Sequence, residues 1–210
     1  MHMKTINILF RRLTLTLVAV FALGMLTSCD EDIAQARVLS GEWRGNFGMY
    51  YDYTNRNGQT YTFDSYDTRL VFYPNSEYSA RGWGKQVDYY ASGPYTYQYY
   101  RFYWEIRDGI VYLSYPQDPN LDVAIADYVM DNGYFAGRFV NTGTRFSLTK
   151  LADFDWSVYT GDYGYYSRYG YDNYTKGEAF RGQTGDTIPS ENPYAGGSVI
   201  LRGNRFAQER

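Results

Sequence analysis

The chain has 210 residues, with 20 Lys and Arg against 23 Asp and Glu and a formal net charge of −3. That length suits one domain with an ordinary core plus an extra segment, and its mixed-sign acidic balance lacks the clustered bases that nucleic acid requires. The single histidine, His2, and the single cysteine, Cys29, lie at the N-terminal end, so the rest of the chain excludes a Ser-His-Asp triad, a Cys-His pair, a disulfide and a zinc site of His or Cys type.

Lys4, Arg11 and Arg12 precede a mainly apolar run from Leu13 to Leu26. A basic start followed by an apolar run of this length is a secretion signal. As a helix the run would reach about 21 Å, short of a hydrocarbon core of about 30 Å, so export is expected rather than a spanning anchor. Leu26-Thr27-Ser28-Cys29 closes the run. These four residues resemble the lipobox of bacterial lipoproteins, which implies cleavage before Cys29 and acylation of its thiol and new amine. Several acyl chains, palmitate among them, hold a protein on a membrane where one chain only visits. Asp30-Glu31-Asp32 follows and resembles the surface-export signal of Bacteroidota lipoproteins; the alternative is a solvated charge run. The resemblance implies a cell-envelope location, lipid-anchored at the outer membrane and facing outward.

With residues 1–28 read as signal peptide, 29–40 reads as a linker and 41–151 as the folded domain. Tyr (26), Phe (12) and Trp (4) supply 20% of the chain, and residues of this kind fit pleated, half-buried surfaces. From Glu42 the chain alternates, with Trp43, Phe47, Met49, Tyr51 and Tyr53 on one face. Asn57-Gly58 then suits a tight hairpin. The next runs are Tyr61 to Tyr73 and Glu77 to Tyr89, where Gly82 and Gly84 flank Trp83. Glycines inside a strand often mark a bulge or bend.

Phe102, Trp104 and Ile106 share a face opposite Tyr103 and Glu105, and Asp108-Gly109 turns the chain into Ile110 to Tyr115. Leu121, Val123 and Ile125 set another inward face, and continuing the count puts Asp127 on it. That acid reads either as a desolvated carboxylate or as a bulge or an Arg-paired Asp. Turns at Asp131-Asn132-Gly133 and Asn141-Thr142-Gly143 introduce Tyr134 to Val140 and Arg145 to Leu151.

The expectation is an all-β antiparallel meander of eight strands, a number that closes into a small barrel and removes open edges. A β-sandwich is the alternative. Gly41-Glu42-Trp43 resembles the Gly-X-Trp signature of lipocalin-like barrels, and Trp104 to Leu113 is similar to paired strands of lipocalin-like domains in Bacteroidota lipoproteins. The resemblance implies a Trp across one barrel end and an interior that holds an apolar ligand.

Beyond Leu151, residues 152–210 are rich in Tyr and Gly without sustained alternation. The stretch 160–196 reads as mostly irregular, with one late strand from Ser198 to Arg202.

The function expected is non-catalytic binding of a glycan or small apolar ligand, with Trp83, Tyr99 and Tyr103 as contacts. The alternative is a structural or assembly subunit docking an envelope protein partner. A two-carboxylate glycoside hydrolase needs no histidine, but no acid pair stands out, and neither a phosphate loop nor a dinucleotide fingerprint is present. No enzyme activity, cofactor or metal is therefore expected.

Overall fold

The computed structural model describes residues 31–169, 174–175, 194 and 196–208. Residues 31–39 form a helix, α1. The strands that follow are β1 (Gly41–Asn46), β2 (Met49–Thr54), β3 (Thr60–Pro74), β4 (Arg81–Tyr90), β5 (Tyr95–Arg107), β6 (Ile110–Ser114), β7 (Val123–Met130), β8 (Tyr134–Phe139), β9 (Arg145–Leu151), β10 (Tyr163–Ser167), β11 (Tyr174–Thr175) and β12 (Ser198–Asn204).

Eight of these strands close an antiparallel barrel in the order β1-β3-β4-β5-β6-β7-β8-β9, with β9 returning to β1 through Glu42 opposite Leu151. Closure rules out the sandwich. The first strand of the sequence pattern is two strands, because Gly48 takes a φ of +76° and its amide is held by the Asn46 side chain. Before that break, β1 pairs with the second half of β3; after it, β2 pairs with the first half. β5 divides likewise, its second half pairing with β6 and its first half with β10. The surplus lengths of β3, β4 and β5 thus leave the barrel and form a second sheet flanked by β2 and β12 on one side and by β10 and β11 on the other.

Inside the barrel, cross-strand rows of aromatic rings meet edge to face, a favourable geometry for ring quadrupoles. Phe72 and Phe102 lie 5.2 Å apart, Trp43 and Phe135 5.7 Å, and Phe47 and Phe139 5.3 Å. An eight-stranded barrel has room for little more than its own side chains; among the described residues its interior is a packed core. Gly84 sits between Phe72 and Phe102 in register, and a Cβ there would strike the Phe102 ring and the Val71 carbonyl. Register runs unbroken through Gly82 and Gly84. These glycines make room for rings instead of marking the bulge expected of them.

α1 plugs the barrel end where β1 starts. Its buried residues Asp32, Ala36 and Leu39 fall on one helical face,. The Trp43 indole donates to the Leu39 carbonyl at 2.7 Å, and Lys150 donates to the Val38 and Ser40 carbonyls. A helix this short is marginal alone, which is why the stretch resembled a linker in sequence. Asp127 is the foot of a bulge, with φ 48°, its exposed carboxylate paired with Arg138. The bulge turns Val129 outward and Tyr128 toward the core.

The C-terminal segment begins with a strap. Phe154, Trp156 and Tyr159 cover the outer face of β3, β4 and β5, tied by the Trp156 indole and the Phe154 amide to the Glu42 carboxylate at 3.1 Å each. Tyr163–Ser167 then forms a strand where no alternation was legible, and the late strand extends from Ser198 to Asn204.

Trp43 is fully buried, hydrogen-bonded to α1 and packed on Phe135. Trp43→Ala is expected to lower unfolding free energy by about 3–5 kcal/mol, read from the urea midpoint.

Candidate functional site

The cross-strand register of β3, β4 and β5 sets Tyr73, Trp83 and Tyr103 in one row on the outer face of the barrel. Neighbouring strands lie about 4.8 Å apart, so the three side chains stand side by side. The Tyr73 and Trp83 rings are 4.4 Å apart, and the Arg101 guanidinium lies 4.8 Å from the Trp83 ring and 5.8 Å from Tyr103. Tyr103 is 51% exposed. Beside the row runs a groove of about 340 Å³ lined by Asn75, Arg81, Tyr103, Glu105, Tyr112 and Ser114. Glu105 is the only carboxylate among the described residues lining it, and it pairs with Arg107 at 3.9 Å. Flat rings, a guanidinium and hydrogen-bonding rims suit a sugar or another flat, polar-edged surface. Among the described residues the groove offers no second carboxylate for acid-base hydrolysis,.

Of the three contacts expected from sequence, Trp83 and Tyr103 are therefore neighbours in this row. Tyr99 is not with them at the surface. It shares their face, but the strap covers it: it is 2% exposed, its hydroxyl donates to the Thr160 carbonyl, and Tyr159 packs 5.4 Å from its ring. Lys85, between Tyr99 and Trp83 on that face, donates to the Trp156 and Tyr159 carbonyls and marks where the strap stops. Burial lowers its pKa. Cys29 lies outside the described residues.

A second cluster, missed in the sequence, faces inward. Thr68, Asp88 and Gln98 form one row of the same three strands, between the barrel core and the aromatic core of the second sheet. The Thr68 hydroxyl donates to Asp88 at 2.7 Å and the Gln86 amide donates to its other oxygen at 2.8 Å. Tyr115 donates to Gln86, and Tyr100 and Arg202 donate to the Gln98 carbonyl oxygen. The Gln98 amide nitrogen has no partner among the described residues. The clue lay in β4, where Gln86 and Asp88 keep step with Gly82 and Gly84, but polar residues on an inward face break the hydrophobic rule by which such faces are found.

Burial pushes the Asp88 carboxyl up to about 7, with the nearby Asp67 charge adding and the bonds from Thr68 and Gln86 opposing. No group of three metal-ligating side chains occurs among the described residues.

The chain matches no family model, no curated protein and no solved structure.

Because the folded pKa of Asp88 is raised, its contribution to stability is full below the unfolded value of about 4 and is lost as pH rises through about 7,. Urea midpoints measured across that window should fall with rising pH in the native chain and fall less in Asp88→Asn.

Proposed function

We propose that this protein is an exported, lipid-anchored binding protein of the bacterial outer membrane, without catalytic turnover, that holds a glycan on the Tyr73, Trp83 and Tyr103 row. The observation that carries the reading is the row itself: three rings in register on a rigid barrel wall, with Arg101 against Trp83 and one wall of a groove beside them. Sites on strands hold their geometry better than sites on loops, and stacking on pre-aligned rings costs little ordering entropy. The anchor rests on the lipobox at Leu26 to Cys29 and on the basic, apolar run before it. Among the described residues the barrel interior is filled by its own buried side chains, which supports a ligand held on the outside.

The other reading is an assembly subunit that docks an envelope protein. It is favoured by Ile200 and Leu201, exposed on β12 at the edge of the second sheet. Recovery of one fixed protein partner from cross-linked cells, together with no binding of oligosaccharides or fatty acids, would decide for it.

The glycan reading predicts saturable quenching or enhancement of tryptophan fluorescence by at least one member of a panel of neutral oligosaccharides. Trp83→Ala should weaken that binding about tenfold or more, equivalent to about 1.4 kcal/mol. Tyr103→Ala, followed by calorimetry, should also weaken it. Tyr66→Ala, which removes an exposed tyrosine elsewhere, should leave affinity unchanged.

A further inference from the structure

We infer that the α1 end of the barrel is a membrane-contact surface, pressed against the lipid interface by a clamp at Asp32. This rests on the reading of Cys29 as the acylated residue and adds a posture that the anchor alone does not dictate.

A lipidated cysteine followed by a long flexible linker would leave its domain free to tumble. Here the slack ends almost at once. The Asp32 carboxylate is buried and accepts hydrogen bonds from the Asp108 and Gly109 amides, at 3.1 and 3.2 Å, in the turn between β5 and β6. Carboxylate bonds to backbone amides are charge-assisted and strong. Only three peptide links separate Cys29 from Asp32, and fully extended they span no more than about 11 Å. The interfacial layer of a bilayer is about 5–8 Å deep on each side. A lipid-bearing Cys29 therefore leaves the α1 end at most a few ångströms clear of the headgroups.

That end is built for such contact. Tyr78, in the turn between β3 and β4, is 75% exposed, and Tyr134 and Val129, on the far side of the barrel, are exposed as well. Arg37 of α1 donates to the Glu77 carbonyl at 3.0 Å and lies 5.7 Å from the Tyr78 ring, holding that turn against the helix. Tyrosine belongs at the membrane interface, with its ring in the acyl boundary and its hydroxyl in the headgroups. The exposed and half-buried charges nearby are Arg37, Arg81 and Arg107 against Glu31, Glu77, Asp108 and Asp131, so the contact is aromatic and does not call for anionic lipid,.

The posture leaves the Tyr103 end of the glycan row usable: Tyr103 is four residues along β5 from its end at Arg107, about 13 Å by strand rise and about 10 Å up the tilted barrel wall, whereas Asn75 and Arg81 of the groove flank the Tyr78 turn and lie at the headgroups,. The hairpin at Asn57, between β2 and β3, points away at the opposite end.

The test uses the full-length protein, acylated in cells, purified and reconstituted in phosphatidylcholine vesicles. Acylation occupies Cys29, so a cysteine introduced by Tyr78→Cys, Tyr134→Cys or Asn57→Cys is the single reactive thiol and takes one nitroxide label. Collision with oxygen and with a nickel chelate then reports depth. Labels at 78 and 134 should be shielded from the nickel chelate severalfold relative to the label at 57. Adding Asp32→Ala should bring them back toward the value at 57 while the protein stays on the vesicles. Equal nickel access at all three positions in the acylated protein would overturn the contact surface, and shielding unchanged by Asp32→Ala would overturn the clamp. An intact mass without acyl chains would instead overturn the anchor reading and the posture with it.

Discussion

β3, β4 and β5 are longer than the barrel they belong to, and every other element answers to that surplus. β3 has 15 residues, about 50 Å of strand, whereas β1 beside it has six,. Backbone amides and carbonyls beyond the barrel still need partners, because an exposed row of them is a template for aggregation. β2 and β12 supply partners on one side and β10 on the other. The second sheet is what the chain does with strands that outrun the barrel.

The same three strands write the chemistry as rows. Phe72, Gly84 and Phe102 pack inward; Thr68, Asp88 and Gln98 form a polar seam; Tyr73, Trp83 and Tyr103 face out. A slip of one residue in β4 would send Asp88 to the surface and Trp83 into the core. The packing of two phenyl rings over Gly84 sets that register, so an apolar contact inside the barrel determines the alignment of the rings outside it.

The strap then decides which part of the outer face is available. Its rings cover the row containing Tyr99, and its carbonyls are fixed by Lys85. The row of Tyr73, Trp83 and Tyr103 begins just beyond, with Tyr73 half-buried against the strap's cluster and Tyr103 exposed. α1 performs the corresponding task at the barrel end, where its apolar face closes the core and its first buried residue, Asp32, binds a turn of the opposite wall.

Period-two alternation and turn chemistry made the eight runs, the hairpin at Asp108-Gly109 and the all-β class legible from residue order alone, since a strand's face and a turn's positive φ are local properties. The bulge at Asp127 was legible as one of two readings for the same reason. The break at Gly48 was not, because alternation continues across it and only the pairing of β1 and β2 with different halves of β3 separates them. Neither was α1, whose short helix draws its stability from the barrel end, nor Tyr163–Ser167, a strand whose edge is defined by β5. Trp83 and Tyr103 could be named as aromatic and outward, but that they adjoin depends on the register of β4 against β5, and that Tyr99 is covered depends on Thr160, 61 positions away, meeting it in space. Residue order by itself determined the absence of imidazole and thiol chemistry beyond Cys29 and the strand faces, because the first is composition and the second is carried by neighbours in the chain,. Barrel closure, the buried Asp88 seam and the outward aromatic row were decided only by tertiary structure, because each is a relation between strands whose register is set by long-range packing.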